Sequence, residues 1–452
     1  MKIVVSGTGF SSILCINHLI KLGIKPTVYD VGNDIDEDKK IILKKKSIVK
    51  QKDFDSFLCK GGLSEVWSGV IEKYLENDFL NWPINKEDFD IHYEEVLKNL
   101  KDYELYSFYS SAKDNFLDYN IKKVNDYKNI ELYNNGNISI KYSNILGKKI
   151  NDQNLLTHEN FKPYNIKDTI NDLIKGGQII YKKEKILKVW EEENQVVVES
   201  VNSANLINKS KFDYLFMGSG CISTYLIMKN SLPNFNDDIK IKSTKQFVMP
   251  VRLFNVVDFN KKFYNMLPFM QLNLTKNYDY SIYSQIYNFN SNIINFFLPK
   301  IRIFEKYISL FKFFKNFGIS YFNLGSNYSD TFTIDKNFNL KLYEKKYKVS
   351  EILGKESEIF NKKLLNNQFF HMNFPIKMKP LSGNHFGACF PMQLKKKKFY
   401  YSDLYGRIGN FKKISITDSS IFPQLSARPP TFTILANALR IISEVSKLNF
   451  FR

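Results

Sequence analysis

The chain opens on a continuous apolar run, "KIVVSG", changes to helical spacing in "FSSILCINHLIKLG", and returns to a β-branched run in "PTVYD". Unbroken apolar residues suit a strand covered on both faces, whereas apolar positions at i, i+3 and i+4 suit one face of a helix. The pattern therefore predicts a strand, a glycine turn, a helix and a second strand. Between residues 179 and 232 it predicts paired strands, a buried strand in "KFDYLFMGSG", and a Gly-x-Gly turn into an apolar helix. Residues 414 to 445 predict a strand, an acidic turn at Asp418, a proline-bounded loop and a helix. Ile434, Leu435, Ala438, Leu439 and Ile442 supply that helix's buried face, and Pro430 suits its first position.

The intervening segments are less regular. "WPINKEDFDIHYEEVLKNL" predicts a helix with Glu87 and Asp88 in its first turn and an apolar stripe of Phe89, Tyr93, Val96, Leu97 and Leu100. His92 on that helix is expected at the surface. "SIYSQIYNFN" is a strand candidate. In "PKIRIFEKYISLFKFFKNFG", Phe304, Ile308 and Phe311 fall at helical spacing with lysines interleaved. An amphipathic helix with lysine stems over its rim outweighs a membrane-interfacial one.

The opening βαβ unit carries chemistry. Gly7 permits the tight turn, Gly9 lets backbone approach a pyrophosphate, and Ser12 fills the third small position where helix meets strand. Asp30 ends the second strand, where a carboxylate accepts hydrogen bonds from ribose hydroxyls. Such a unit binds a dinucleotide, FAD or NAD. A second glycine turn, "KGGLSEVWSGVI", places Gly61 and Gly62 where backbone can approach a ligand without a Cβ in the way.

Composition changes this picture little. A chain of 452 residues suggests two or three structural units. The net charge of +19 accompanies no readable nucleic-acid module, and lysine is enriched together with asparagine, isoleucine, tyrosine and phenylalanine, so a general compositional bias explains it. Cys15, Cys59, Cys221 and Cys389 are far apart, which indicates neither zinc site nor disulfide framework and fits a reducing cytoplasm. No metal signature, secretory signal or membrane-spanning run is evident. His18, His158 and His371 carry no assignment.

Taken together, these blocks resemble the glucose-methanol-choline (GMC) oxidoreductase family over nearly the whole chain. "GTGFSS" with Asp30 is similar to its FAD fingerprint, "GGLSEVWSG" to its second glycine motif, and "FMGSGCIST" to its third. "NHFGACFPM" and "TDSSIFPQLSARPPTFTILANALRI" resemble its C-terminal blocks. The "WPI" segment and the "TFTILANALRI" ending are most similar to bacterial members associated with polysaccharide or lipid biosynthesis.

The resemblance implies an α/β fold: a Rossmann-like FAD-binding domain from residues 1–75, 170–238 and 376–452, a connecting or lid segment at 76–169, and an α+β substrate domain with an antiparallel sheet at 239–375. It implies non-covalent FAD, since the second glycine motif offers no histidine for attachment. Ser64, Trp67 and Gly218 join Gly7, Gly9, Ser12, Asp30, Gly61 and Gly62 as implied cofactor contacts. Ile186 is expected beside the adenine through its backbone, Asp418 and Ser419 near the pyrophosphate and ribityl chain. Pro430 and Thr431 begin a helix whose unpaired N–H groups would face the flavin N1–C2=O edge.

The implied reaction removes a hydride from an alcohol to flavin N5 while a base takes the hydroxyl proton. The base block is commonly H-x-x-G-T or H-H-x-G-G; here Asn384 holds the first position and His385 the second. Two departures stand out. Pro429 replaces an asparagine or histidine that helps hold the substrate oxygen, and Phe390 and Pro391 replace the usual R-M. The expected substrate is a small alcohol, a sugar or a lipid-linked sugar, with the electron acceptor open and the location cytoplasmic or peripheral to the inner face of the membrane. A flavin-binding homologue without alcohol oxidation, or a flavin-dependent reductase or isomerase, is the alternative.

Overall fold

The structure is a computed structural model that describes residues 1–32, 58–65, 67–100, 163–233, 235, 238–253, 268, 270–276, 280–288, 317–335, 339–345, 369–371, 375–395 and 397–448, with five strands between 103 and 148 at the level of the backbone. The segment 301–316, where an amphipathic helix is expected, lies outside the described residues.

A seven-stranded sheet forms the centre. Its order is Ile207–Phe212, Gln195–Asn202, Ile180–Glu192, Thr27–Asp30, Ile3–Ser6, Tyr214–Met217 and Ile414–Ile416. The last five pair in parallel, and the first two extend the sheet antiparallel. Ile3, Val4 and Val5 are buried, as a strand covered on both faces requires. Parallel neighbours need crossovers. The helix α1 (Phe10–Lys21) supplies the first and packs against the C-terminal helix α5 (Thr431–Val445), whose apolar stripe is buried almost throughout.

Three further helices frame this core: α2 (Lys86–Asn99), α3 (Ile166–Lys175) and α4 (Cys221–Ser231). In α2, Asn85 caps the first turn by accepting from the amide of Asp88, and Phe89, Tyr93 and Val96 are buried. Tyr93 meets α5: its ring lies 4.7 Å from that of Phe432, and its hydroxyl is 2.8 Å from Thr433 Oγ1. His92 stays at the rim beside Glu95, Nδ1 3.2 Å from Oε2.

The second large element is an eight-stranded antiparallel sheet. Along it run Phe369–His371, Lys245–Leu253, Phe317–Leu324, Tyr280–Asn288, Met270–Lys276, Ile138–Tyr142 and Glu131–Asn135, with Ile376–Lys377 paired to the second of these. Two of its strands thus come from the stretch expected to be a connecting segment. A smaller sheet orders Leu340–Tyr343, Thr331–Ile334, Ile241–Ser243 and Phe386–Gly387. That last pairing carries the histidine block from the large sheet back to the parallel core.

Candidate active site

The carboxyl ends of four parallel strands bring the glycine turns to one edge, where open α/β sheets bind ligands. Gly7 has φ 82°, and a Cβ there would lie 2.7 Å from the Gly218 carbonyl oxygen. Its amide donates to the Tyr29 carbonyl, and that of Gly218 to the Ser6 carbonyl. Ser12 sits where α1 meets the strand end and donates to the carbonyls of Ser6 and Gly218 at 3.0 and 3.1 Å. Gly218 must lack a side chain, because a Cβ would lie 2.3 Å from Ser12 Oγ. Gly7, Ser12 and Gly218 therefore lock turn to helix.

Gly9 is different. It caps α1 in an extended conformation, and a Cβ there would meet nothing within 4 Å. Gly62 approaches from the second turn: its Cβ would lie 3.6 Å from Gly9 Cα. Gly220, at the start of α4, is likewise open. The first turn of α1 holds no acid and no side-chain cap; the Ser12 amide turns back to the Gly9 carbonyl, and the amides ahead of it are those an anion could meet. Thr8 binds the pieces together, donating to Asp30 Oδ2 at 2.7 Å and accepting from the Gly61 amide at 2.8 Å. Asp30 Oδ1 accepts from the Gly32 amide at 2.6 Å. Burial pushes the Asp30 carboxyl up to about 6, against the hydrogen bonds from Thr8 and Gly32, which lower it.

Several other expected cofactor contacts are held by the protein itself. Ser64 Oγ donates to the Gly61 carbonyl and accepts from the Ile166 amide, so it shapes the second turn. Trp67 donates to the Tyr164 carbonyl and sets its ring 4.6 Å from Phe10 in the first turn of α1. Asp418 is buried, with Oδ2 accepting from Thr224 Oγ1 at 2.5 Å and Oδ1 from the Ser420 amide at 2.9 Å. Burial raises its carboxyl above the usual range. Ser419 donates to the Phe386 carbonyl at 2.6 Å and its own carbonyl accepts from Ala388, tying the histidine block to the sheet. Ile186 lies at a bulge, three residues beyond Lys183, the register partner of Asp30. Pro430 is the N-cap residue of α5, one place earlier than its expected first helical position, and Thr431 opens the helix.

The histidine block is backbone-strained. Leu381, Asn384 and Ala388 have φ of 61°, 56° and 55°. Left-handed backbone disfavours side chains with a Cβ, and such strain concentrates at functional sites. Phe386 and Gly387 form a short strand on Ile241–Ser243, and a Cβ on Gly387 would lie 2.5 Å from the Ser419 carbonyl oxygen. His385 is half-buried, its Nδ1 3.3 Å from Thr244 Oγ1. Thr244 Oγ1 accepts from Gln246 Nε2 at 2.7 Å, and Gln246 Oε1 accepts from Ser382 Oγ at 3.1 Å. Asn384 Oδ1 is buried without a hydrogen-bond partner.

No protein-family model and no curated protein sequence matches the chain. Among solved structures it is similar to pyridoxine 4-oxidase from Mesorbium loti, with a TM-score of 0.61 at 11% identity over 99% of each chain. The chain has the GMC oxidoreductase fold. At that identity the likeness concerns backbone architecture, and the side chains must speak for the site.

Within the GMC fold of this chain, the cradle fits the pyrophosphate of a dinucleotide: Gly9, Gly62 and Gly220 leave room that any Cβ would fill, at a helix start that carries no negative charge. One cluster was not anticipated from sequence. Arg428, just ahead of Pro429, is buried with Nη1 3.5 Å from Glu72 Oε2 and Nε 3.4 Å from Asp78 Oδ2. Asp78 also accepts from Ser426 Oγ and from the Leu75 amide. This clamp holds the loop that leads into α5. Its partners are about 350 residues apart in sequence, so no local spacing could have revealed it. Thr244 and Gln246 were also missed, since neither lies in a motif. Among the described residues no cluster could hold a metal, and no helix is long and apolar enough to cross a membrane.

Proposed function

We propose that the chain is an FAD-dependent oxidoreductase of the GMC family, acting on a CH–OH donor. The observation that carries this reading is the open glycine cradle at Gly9, set at the same sheet edge as the turn at Asp418 and Ser419 to which the His385 block is bonded. FAD would lie non-covalently against the open glycines Gly9, Gly62 and Gly220, with Asp30 at the adenosine ribose and the α5 N-terminus from Pro430 and Thr431 beside it. When bound, it supplies a two-electron acceptor for the hydride.

The chain's own residues then serve the proton. An imidazole with Nδ1–H donating to Thr244 Oγ1 keeps Nε2 as its acceptor, the state a base requires. Gln246 is compatible with this tautomer: its amide donates to one lone pair of the Thr244 oxygen, and the second can accept from the imidazole N–H. Asn384 would supply the second polar contact by donating from its Nδ2 amide to the substrate oxygen, since its Oδ1 can only accept. Pro429 cannot do so, having no N–H.

Anaerobic addition of alcohols to the purified holoprotein tests the reading: flavin absorbance bleaches in the wild type and persists in a His385→Ala variant that retains FAD. Bleaching in that variant at the wild-type rate removes His385 as the base. Failure of every alcohol to bleach the wild type favours the second reading, a flavin-binding protein without alcohol oxidation, which Pro429 motivates. The electron acceptor is a separate partner, and the proposed location is the cytoplasm or the inner membrane surface.

A further inference from the structure

The stretch that follows the histidine block, "PMQLKKKKFYYS", leaves the core at Pro391 and returns to it at Ser402. Both ends are fastened. The Gln393 amide donates to the Ser402 carbonyl at 2.9 Å, the Ser402 amide to the Pro391 carbonyl at 3.2 Å, and the Ser402 hydroxyl to the Phe390 carbonyl at 3.0 Å. Met392 and Ser402 are buried, and the Met392 amide donates to the Ile421 carbonyl at 2.8 Å. Farther along, the Phe399 carbonyl accepts from the Gly409 amide at 2.8 Å, and a Cβ on Gly409 would lie 2.8 Å from the Phe399 ring. The loop is thus held to the body of the protein while its tip faces solvent.

Two features meet at that tip. Leu394 is 71% exposed, more than any other large apolar side chain among the described residues, and Phe399 is 45% exposed. Between them stand four lysines, Lys395 to Lys398, and no acid occurs from Pro391 to Ser402. Lys395, Lys397 and Lys398 are exposed. A lone exposed leucine is ordinary on a protein surface. A general bias toward lysine accounts for the net charge of +19, but it does not set four lysines in a row between the exposed apolar side chains of one pinned loop.

We propose that this loop, from Leu394 to Phe399, docks the protein on the surface of an anionic lipid bilayer. Charge complementarity selects the partner: ammonium groups pair with headgroup phosphates, while Leu394 and the exposed edge of Phe399 enter the boundary of the acyl chains. Lysine stems are long enough to lie along that boundary with their charges in the headgroup layer. A nucleic acid or an acidic polypeptide would satisfy the lysines and leave Leu394 in water. Because both ends of the loop are already fixed, little chain entropy is lost on docking. Each lysine near an anionic lipid surface raises affinity by about fivefold, so the group outweighs what two apolar side chains supply alone. The inference is independent of the oxidoreductase reading, because vesicle binding and flavin bleaching are measured separately.

The test is co-sedimentation of the FAD-loaded full chain with vesicles of phosphatidylcholine, alone or with about one quarter phosphatidylglycerol. Partition onto the anionic vesicles should exceed that onto the neutral ones by at least about 100-fold at low salt and fall steeply as salt is raised. Lys395→Gln combined with Lys397→Gln should weaken anionic binding by about 25-fold and flatten the salt dependence. Leu394→Gln should weaken it about fivefold or more and leave the salt dependence as it was. All three side chains are exposed, so melting temperature and flavin content should stay at wild-type values in these variants. Equal partition onto neutral and anionic vesicles, no binding to either at low salt, or wild-type binding in the lysine variant overturns the proposal. So does a Leu394→Gln variant that binds as the wild type does while single-stranded RNA or polyglutamate binds as tightly as the vesicles, which marks a general polyanion surface. Self-association that Leu394→Gln abolishes, with no vesicle binding, overturns it in favour of a contact between copies of this chain.

Discussion

Replacing Gly9 by alanine separates the cofactor from the fold. Gly9 has φ −80° and ψ −168°, backbone that any residue adopts, and a Cβ there would touch nothing within 4 Å. The ligand-free chain should therefore tolerate the change and gain about 0.4–1 kcal/mol from the lower entropy of its unfolded state. Bound pyrophosphate meets a methyl group where it needs to approach backbone. Two charge-assisted hydrogen bonds to the start of α1 would stretch or break, at about 1.5–3 kcal/mol each, or roughly 3–6 kcal/mol together. FAD affinity should fall by about 10²- to 10⁴-fold. Gly7→Ala should behave oppositely, because φ 82° and a contact of 2.7 Å to the Gly218 carbonyl oxygen lie within the protein itself. The assay pairs melting of the apo chain with FAD titration by flavin fluorescence. Gly9→Ala that binds FAD within about threefold of wild type, or that unfolds the apo chain, would refute the cradle.

Other consequences follow from the same geometry. Arg428→Met removes the cation between buried Glu72 and Asp78 and should cost about 3–5 kcal/mol in chemical denaturation, whereas a loss below about 1 kcal/mol contradicts the clamp. The raised Asp30 carboxyl makes the folded apo chain bind a proton more tightly than the unfolded one, so this residue's contribution to apo stability is present at low pH and is lost as pH rises from 3.8 through about 6. Ribose hydroxyls favour the charged form, so FAD affinity should rise over that window and level above it; Asp30→Asn should weaken binding and flatten the rise, and an unchanged pH profile in that variant counts against the ribose contact. Thr244→Val removes the hydroxyl that bonds His385 Nδ1 and should slow alcohol-driven bleaching by roughly 10- to 100-fold with FAD content intact, with Thr244→Ser restoring most of it. An unaltered rate in Thr244→Val denies the positioning role.

Part of the parallel core was legible because Ile3–Ser6 and Tyr214–Met217 are apolar almost throughout and the turns that follow them are glycine, two signals that survive without tertiary context. Ile3–Ser6 and Tyr214–Met217 emerged where the pattern put them, and their turns meet as expected. Residue type alone could not say where polar side chains point. Asp418 and Ser64 look like ligand contacts in sequence, yet their oxygens are engaged by Thr224, Ser420, Gly61 and Ile166. The antiparallel sheet was obscure for a different reason. Alternation of polar and apolar residues reports a sheet with one wet face, whereas in Tyr280–Asn288 both sets are buried: Ile282, Ser284 and Ile286 on one side, Tyr283, Gln285 and Tyr287 on the other. Ser284 and Ser320 bond each other within the apolar face, which blurs the pattern further. His385 stood out only as a rare residue beside glycine. Thr244, which bonds it, and Gln246, which bonds Thr244, are about 140 residues away, and the pairing of Phe386–Gly387 with Ile241–Ser243 brings them near.

The central claim is that this chain holds FAD in the glycine cradle without a covalent bond, and the most direct measurement is to denature the purified protein and identify what it releases. One FAD per chain in the supernatant, and none with the precipitated polypeptide, is the predicted result. A chain that carries no flavin and takes up none when FAD is supplied, or one that releases a nicotinamide dinucleotide instead, contradicts the account.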